Sequence, residues 1–194
     1  MPTDLPIPHD DGACQHLQTG HYALPSITLP PTSDPSRPID LSTLPGLTIL
    51  FIYPRTGRPD ESIPAAWDAI PGARGCTPQA CSYRDNLPDL QRLGVAHVFG
   101  MSTQDSAYQA EVRQRTHLPY DLLSDEKRQF QTQLSLPTIE WEGSSLTRRI
   151  TLAVRDGVVV KCWYPVSVPS DRDVHGVLAW LRQQGERDGE SSKP

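Results

Sequence analysis

The stretch Gly75-Cys76-Thr77-Pro78-Gln79-Ala80-Cys81, residues 75–81, decides the fold and the chemistry of this chain. Its two cysteines are five positions apart at the start of a predicted helix. A buried strand with the sequence LTILFIY, residues 47–53, comes before it. A thiol at a helix N-terminus lies near unpaired backbone N–H groups and the positive end of the helix dipole, which favour the thiolate. The sequence therefore predicts a reactive thiol placed after a buried strand.

Working outward, the apolar pattern predicts alternating strands and helices. The strand at 47–53 is apolar and rich in β-branched and aromatic residues, which is typical of a strand covered on both faces. Thr77 as the N-cap and Pro78 as the first helical residue begin a helix. Gly94 ends this helix, and Pro88 should kink or split it.

The rest of the chain is predicted to contain further strands and helices. The strands are a short pair at 27–29 and 39–41, a strand at 95–101, and a hairpin of strands 149–154 and 158–164 that turns at Asp156-Gly157. The helices are at 103–116, 126–133 and 171–184, the last between a Ser170 cap and a Gly185 stop. This order is that of an α/β, thioredoxin-like fold with an N-terminal extension, in which helices flank a central mixed sheet.

Three segments lie outside this pattern. Residues 1–24 are polar and rich in turn residues, and we expect an arm that packs on the domain or is partly mobile. Residues 55–74 form a long insertion with several prolines and glycines, which is expected to form a rim or lid of the site. Residues 186–194 are charged and are expected to form a flexible tail. One domain is therefore expected, at 25–185.

Composition excludes several classes of function. The net charge of −5 leaves no basic surface for nucleic acid, and no apolar run approaches the roughly 18–20 residues of a membrane span. No glycine-rich phosphate loop is present, so no nucleotide or flavin cofactor is expected. The C-x4-C spacing is not that of a zinc site, so no metal is expected. Four cysteines are too few for a secreted disulfide scaffold, and the first residues do not form a signal segment, so a cytoplasmic protein is expected.

The spacing of Cys76 and Cys81 predicts a conformational change. On a straight α-helix, two Cα atoms five residues apart are separated by roughly 8–9 Å. A disulfide requires Cα atoms closer than about 7 Å. The first turns of the helix must therefore unwind before the two sulfurs can join. We expect a folded reduced form with separated sulfurs and a locally unfolded oxidised form.

A set of motifs occurs in a fixed order along the chain and resembles one family. The motifs are Tyr53-Pro54, residues 75–81, Arg84-Asp85, residues 100–102, residues 118–125, residues 149–152 and Asp156-Gly157. In this order and spacing they resemble the peroxiredoxins of the PrxQ or bacterioferritin comigratory protein type. The resemblance covers about residues 24–182.

The resemblance implies a thiol peroxidase that reduces hydrogen peroxide and organic hydroperoxides and needs no cofactor. It implies that Cys76 is the peroxidatic cysteine, Cys81 the resolving cysteine and Arg149 the active-site arginine. The residues expected to contribute to peroxide binding are Pro54, Gly75 and Thr77. It also implies a thioredoxin-like electron donor and a monomer or weak homodimer.

Two departures from the family pattern concern the site itself. The threonine that the family has three residues before the peroxidatic cysteine is Ala73 here. The insertion at 55–74 lengthens the link between Tyr53-Pro54 and the cysteine. Thr56, Thr77 or a backbone N–H is a candidate to replace the missing hydroxyl, and Arg74 is a candidate source of positive charge.

Several assignments have alternatives. Arg148 competes with Arg149 for the active-site role, and strand alternation together with the resemblance favours Arg149. Cys162 alternates with polar and aromatic neighbours in a strand and is expected to be a small core residue, whereas Cys14 lies in the arm. The alternative function is a dithiol–disulfide oxidoreductase or a redox sensor that passes oxidation to a partner protein.

Overall fold

Strands and helices alternate through most of the chain. The computed structural model describes residues 5–166 and 168–191. The strands are β1 (Tyr22–Ala23), β2 (Thr28–Leu29), β3 (Ile39–Asp40), β4 (Leu47–Ile52), β5 (Val95–Ser102), β6 (Leu122–Ser124), β7 (Thr138–Trp141), β8 (Ser144–Thr147), β9 (Ile150–Arg155) and β10 (Val158–Trp163). The helices are α1 (Ala65–Asp68), α2 (Cys76–Asp85), α3 (Leu87–Arg92), α4 (Ser106–Arg115), α5 (Gln129–Gln133) and α6 (Asp173–Ser191). Within the described residues no helix is both long and apolar enough to cross a bilayer.

The centre of the molecule is a six-stranded mixed sheet in the order β1-β10-β9-β4-β5-β6. Strand β4 pairs in parallel with β5 on one side and antiparallel with β9 on the other. All six residues of β4 are buried, which explains its continuous apolar sequence. The expected α/β class, with a central mixed sheet flanked by helices, is confirmed.

Two apolar clusters cover the two faces of the sheet. On one face, α2, α3, α4 and α6 contribute buried side chains that pack on Ile49, Phe51 and Val98. On the other face, the N-terminal segment and α5 pack on Leu50, Ile52 and neighbouring strand residues. The helix that begins with Cys76 is therefore supported by the sheet beneath it and by α6 beside it.

The predicted helix after Cys76 is split, as its proline indicated. Helix α2 ends at Asp85, α3 begins at Leu87, and Pro88 lies in the first turn of α3, where its missing N–H costs no hydrogen bond. The N-cap differs from the prediction. It is Gly75 in the left-handed region, not Thr77, and the helix begins at Cys76.

The described part of the N-terminal segment packs on the rest of the domain. A 3₁₀ turn at Gln15–Leu17 places Leu17 in the core, and β1 pairs with β10 at the edge of the sheet. Residues 1–4 of the expected arm lie outside the described residues. The expected pairing of the two short strands at 27–29 and 39–41 is confirmed as β2 with β3.

Two elements differ from the sequence prediction at the other end of the chain. The hairpin β7–β8 was not predicted. Helix α6 continues through Gly185 to Ser191, so the expected stop at Gly185 is wrong. Of the expected tail at 186–194, residues 186–191 are helical and residues 192–194 lie outside the described residues. Ser170 does not cap α6, because it lies in a 3₁₀ turn and its hydroxyl donates to the Gly75 carbonyl instead.

Candidate active site

Cys76 is the first residue of α2 and is held there by the turn before it. Gly75 has φ +102°, a conformation that side-chain-bearing residues rarely adopt, and a Cβ at this position would clash with Ser170 Oγ. The Ser170 hydroxyl donates to the Gly75 carbonyl at 2.7 Å. The first intrahelical bond runs from Gln79 N to Gly75 O at 3.0 Å. The N–H groups of Cys76 and Thr77 precede it and are therefore the donors at the helix start.

Arg149 lies directly against the Cys76 sulfur. Its Nη2 donates to Cys76 Sγ at 3.2 Å, and both side chains are 4% exposed. Backbone carbonyls of the loop before α2 hold the guanidinium in place. Nε donates to the Gly72 carbonyl, and Nη2 donates to the carbonyls of Ala73 and Arg74, each at 3.2 Å. Because these bonds fix the planar group in one orientation, the arginine presents a positive charge and N–H donors to the thiol.

Arg148, the competing candidate, points elsewhere. It donates to the Thr138 carbonyl at 3.0 Å and to Asp11 at 3.0 Å, on the side of the N-terminal segment. The structure thus brings Arg149, and not Arg148, to Cys76.

A buried polar network behind the arginine was missed in the sequence. Arg149 Nη1 donates to Gln79 Oε1, and Gln79 Nε2 donates to Asp173 Oδ2 at 2.8 Å. The same Asp173 oxygen accepts from Tyr83 Oη at 2.8 Å and from Thr151 Oγ1 at 2.6 Å. Burial raises the pKa of the Asp173 carboxyl, while these three hydrogen bonds oppose the rise. Gln79 and Tyr83 are three and seven positions after Cys76, which places them on the same helix face as the cysteine. This spacing is the feature of the sequence from which the network could have been predicted.

Cys81 lies on the same helix but away from Cys76. Five residues on an α-helix turn through about 140°, so the two side chains leave the helix in different directions. Cys81 is half-buried, whereas Cys76 is buried, and both are free thiols. The Tyr120 hydroxyl donates to the Ala80 carbonyl at 2.6 Å and anchors the backbone between them. In this state the two sulfurs belong to separate environments.

Ala73 is completely buried and contributes its backbone in place of a hydroxyl. Its carbonyl accepts from Arg149 and, at 3.5 Å, from the Cys76 thiol. Thr56 is buried and donates to Gln104 Oε1 at 3.1 Å. Arg74 pairs with Asp68 at 2.6 Å. The charge of Arg74 is therefore already neutralised, and Thr56 already has a partner.

A cavity of about 690 Å³ opens onto Cys76. The insertion supplies one wall and the β7–β8 hairpin another, and Thr56, Gly75, Thr77 and Pro78 also line it. The apolar part of the lining includes Ile63, Pro64, Trp67 and Trp141. Pro54 is buried just after β4 and is not part of the lining.

The insertion and the hairpin are joined on this side of the molecule. Trp67 and Trp141 pack edge to face with ring centroids 4.9 Å apart. The mouth is crossed by an ion pair between Arg55 and Glu142 at 3.6 Å. The insertion therefore forms a wall of the site, and the hairpin that supports it is the element that sequence reasoning did not find.

The remaining cysteines lie apart from this site. Cys14 and Cys162 are buried together in the cluster on the opposite face of the sheet. The neighbouring Cys162 thiol and burial raise the pKa of Cys14. Across residues 5–166 and 168–191, no group of three or more His, Cys, Asp and Glu side chains is arranged to hold a metal ion.

Comparison with known proteins places this chain in a family. The redoxin family model matches residues 18–178. A peroxiredoxin of Schizosaccharomyces pombe, bcp1, is 33% identical over 61% of this chain and 52% of its own length. A putative peroxiredoxin bcp of Coxiella burnetii is 28% identical over 78% of this chain and 91% of its own. The chain spans about half the length of the first of these relatives.

Solved structures show the same fold. Peroxidoxin BcpB of Mycobacterium tuberculosis superposes with a TM-score of 0.66 at 23% identity, over 86% of this chain and 97% of that chain. A PrxQ mutant of Xylella fastidiosa gives 0.68 at 15% identity, over 87% and 98%. The thioredoxin-like fold expected from the order of elements is thereby confirmed. The match to the redoxin model shows that the chain belongs to the redoxin family, and the relatives that it resembles are peroxiredoxins of the PrxQ or bacterioferritin comigratory protein type.

Proposed function

We propose that the chain is a thiol peroxidase that reduces hydrogen peroxide and organic hydroperoxides at Cys76. The observation that carries the proposal is the 3.2 Å contact between Arg149 Nη2 and Cys76 Sγ at the first residue of α2, where a cavity reaches the sulfur. A guanidinium and a helix N-terminus both favour a thiolate, which is the nucleophile that attacks peroxides. Membership in the redoxin family and similarity to peroxiredoxins support the same activity.

The first step is attack of the Cys76 thiolate on the nearer peroxide oxygen. An S–O bond forms, the O–O bond breaks, and Cys76 becomes a sulfenic acid. The departing oxygen leaves as hydroxide or alkoxide and takes a proton to give water or an alcohol. In the proposal, Arg149 stabilises the negative charge that develops on the two oxygens. The N–H groups of Cys76 and Thr77, next to Gly75 at the helix start, are donors for the same oxygens.

The second step joins the two cysteines of α2. The Cys81 thiol attacks the sulfenic sulfur, a disulfide forms, and water leaves. Because the Cα atoms are about 8–9 Å apart on a regular helix, the first turns of α2 must open for this step. A dithiol donor of the thioredoxin type would then reduce the disulfide and return the helix to its folded state. A compartment that keeps thiols reduced, such as the cytoplasm, suits this cycle.

Peroxide consumption by three proteins tests the proposal. The wild type is expected to turn over with thioredoxin, its reductase and hydrogen peroxide. Cys76→Ser should consume no peroxide above background. Cys81→Ser should consume one equivalent to form the sulfenic acid on Cys76, or two where that acid is oxidised further to the sulfinic acid, and fail to turn over with thioredoxin. Full activity of Cys76→Ser would contradict the mechanism.

A second function is favoured by one feature, the alanine at position 73. Because the family's hydroxyl is absent there, the pair could serve as a dithiol–disulfide oxidoreductase or redox sensor that passes oxidation to a partner protein. The two functions separate in one assay. Rapid oxidation of the pair by hydrogen peroxide, with no partner protein present, supports the peroxidase, whereas oxidation only through a partner disulfide supports the alternative.

A further inference from the structure

One buried carboxylate connects the arginine to the helix that must open. Asp173 is 7% exposed and lies at the first position of α6. Its Oδ2 accepts three hydrogen bonds, two from α2 (Gln79 and Tyr83) and one from β9 (Thr151). A single oxygen thus joins α2, α6 and the central sheet behind the reactive cysteine.

The carboxylate also decides which way the Gln79 amide faces. Gln79 is fully buried and bonds on both ends, with Nε2 to Asp173 and Oε1 to Arg149. An ionised carboxylate only accepts hydrogen bonds, and a guanidinium only donates them. The amide NH₂ must therefore face Asp173, and the amide oxygen is left for Arg149. The donor-only guanidinium favours the same orientation, so the amide is fixed from both ends, and loss of the carboxylate leaves it fixed from the arginine end alone.

The same contact must break when the helix opens. Gln79 lies between Cys76 and Cys81, inside the segment that has to unwind before their sulfurs can meet. Tyr83 lies two residues beyond Cys81 and bonds to the same oxygen. Each opening of the first turns of α2 therefore removes a buried, charge-assisted hydrogen bond, which is stronger than a neutral one.

We propose that Asp173 is a positioning residue with two effects: it orients Gln79, and through it Arg149, for the attack on peroxide, and it restrains α2 against the opening that forms the Cys76–Cys81 disulfide. This inference rests on the proposed function for its catalytic part. Asp173 would then set the balance between two steps. The peroxide step needs α2 folded, and the disulfide step needs α2 open. A more firmly restrained helix leaves the sulfenic acid exposed to a second peroxide for longer.

The test uses charge exchange between positions 79 and 173. Asp173→Asn removes the charge, and Gln79→Glu places two carboxylates against each other. The double variant returns one charge and one amide to the pair. Asp171→Asn is the matched control, because Asp171 is exposed and only two residues away. All four variants are compared with the wild type at pH 8, with thermal unfolding measured on each.

Three readouts follow, of which the first needs no peroxide. Hydrogen exchange of the α2 amides in the reduced protein should accelerate on the order of tenfold in each single variant, as expected for loss of a charge-assisted bond. The rate constant for oxidation of Cys76 by hydrogen peroxide should fall by a similar factor, about tenfold. The peroxide concentration that over-oxidises half of Cys76 during turnover should rise in Asp173→Asn, since its helix opens more readily.

Rescue distinguishes a positioning role from general support of the fold. The double variant is expected to be less impaired than either single variant, because the donor–acceptor pairing between positions 79 and 173 is restored, while Tyr83 and Thr151 lose the carboxylate oxygen that accepted from them. Wild-type exchange and oxidation rates in Asp173→Asn, or a double variant as impaired as the singles, would overturn the inference. A wild type that shows no peroxide oxidation would overturn the proposed function, while the exchange data would still decide whether Asp173 restrains α2.

Discussion

At the scale of single residues, the site depends on the geometry of Arg149 as much as on its charge. All three guanidinium nitrogens are used: Nε and Nη2 donate to loop carbonyls, Nη2 also donates to the sulfur, and Nη1 donates to Gln79, which a single ammonium cannot reproduce. In the sequence, strand alternation and the family resemblance both favoured this arginine, and only the resemblance was a sound reason. Strand alternation could not have chosen it, because Arg148 and Arg149 both lie in the connection between β8 and β9, before the strand begins.

Arg149→Lys should therefore lose most of the rate of Cys76 oxidation by peroxide. Removal of one well-placed donor to a developing oxyanion typically costs about 10²–10³-fold, and we expect a loss in this range although the charge is kept. Stopped-flow measurement of the reaction with hydrogen peroxide gives the rate constant. Arg148→Lys serves as the control and should stay within about threefold of the wild type, because that side chain bonds away from the sulfur. Equal losses in the two variants would argue against the assignment.

Gly75 is a second residue on which the geometry of the site depends, through its backbone conformation. Gly75→Ala forces a side chain into φ +102° and against Ser170, so the free energy of unfolding should fall by about 1–3 kcal/mol. Gly185→Ala is the contrasting substitution. It lies in α6 with open space around it, and the free energy of unfolding should rise by about 0.5–1 kcal/mol. Urea unfolding measures both changes, and a Gly75→Ala protein as stable as the wild type would show that this turn is not constrained.

At the scale of elements, the sequence predicted those with strong patterns and missed those with weak ones. Strand β4 and the break at Pro88 follow from apolar runs and proline chemistry. The hairpin β7–β8 turns at Glu142 and Gly143, both with positive φ, and glutamate is not a usual signal for such a turn. Helix α6 passes Gly185 because that glycine does not adopt the left-handed conformation that ends helices.

Helix α2 is the element expected to change with oxidation. Because the disulfide cannot form on a regular helix, the oxidised protein should have lost helical structure at residues 76–81. Hydrogen exchange should show protection of these amides in the reduced protein and its loss after one equivalent of peroxide. The helix α4 amides provide an internal control and should not change. Retained protection of residues 76–81 in the disulfide-bonded form would contradict the need for unwinding.

At the scale of the whole molecule, the insertion and the hairpin together shape the approach to the sulfur. Trp67 and Trp141 are far apart in the sequence, and only the fold brings them into contact. The sequence indicated that the insertion would form a rim. It did not indicate an apolar wall, because that wall depends on a hairpin with no clear pattern of its own.

The cavity is expected to favour bulky hydroperoxides. Trp141→Ala should lower kcat/KM for cumene hydroperoxide by about tenfold, the effect of losing an apolar contact in a pocket, with a change of less than about threefold for hydrogen peroxide. Trp180→Ala is the matched control, since Trp180 is also half-buried and also packs edge to face on another tryptophan, Trp163. A parallel loss for both peroxides in Trp141→Ala would mean that the wall supports the fold and does not select the substrate.

The central claim is that Cys76 reacts with peroxide and is then joined to Cys81. The most direct test is peptide mass mapping of the reduced protein after one equivalent of hydrogen peroxide, without reductant. We expect a Cys76–Cys81 disulfide as the main product, with Cys14 and Cys162 remaining thiols. A Cys76 that stays reduced, or a bridge from Cys76 to Cys14 or Cys162, would contradict it.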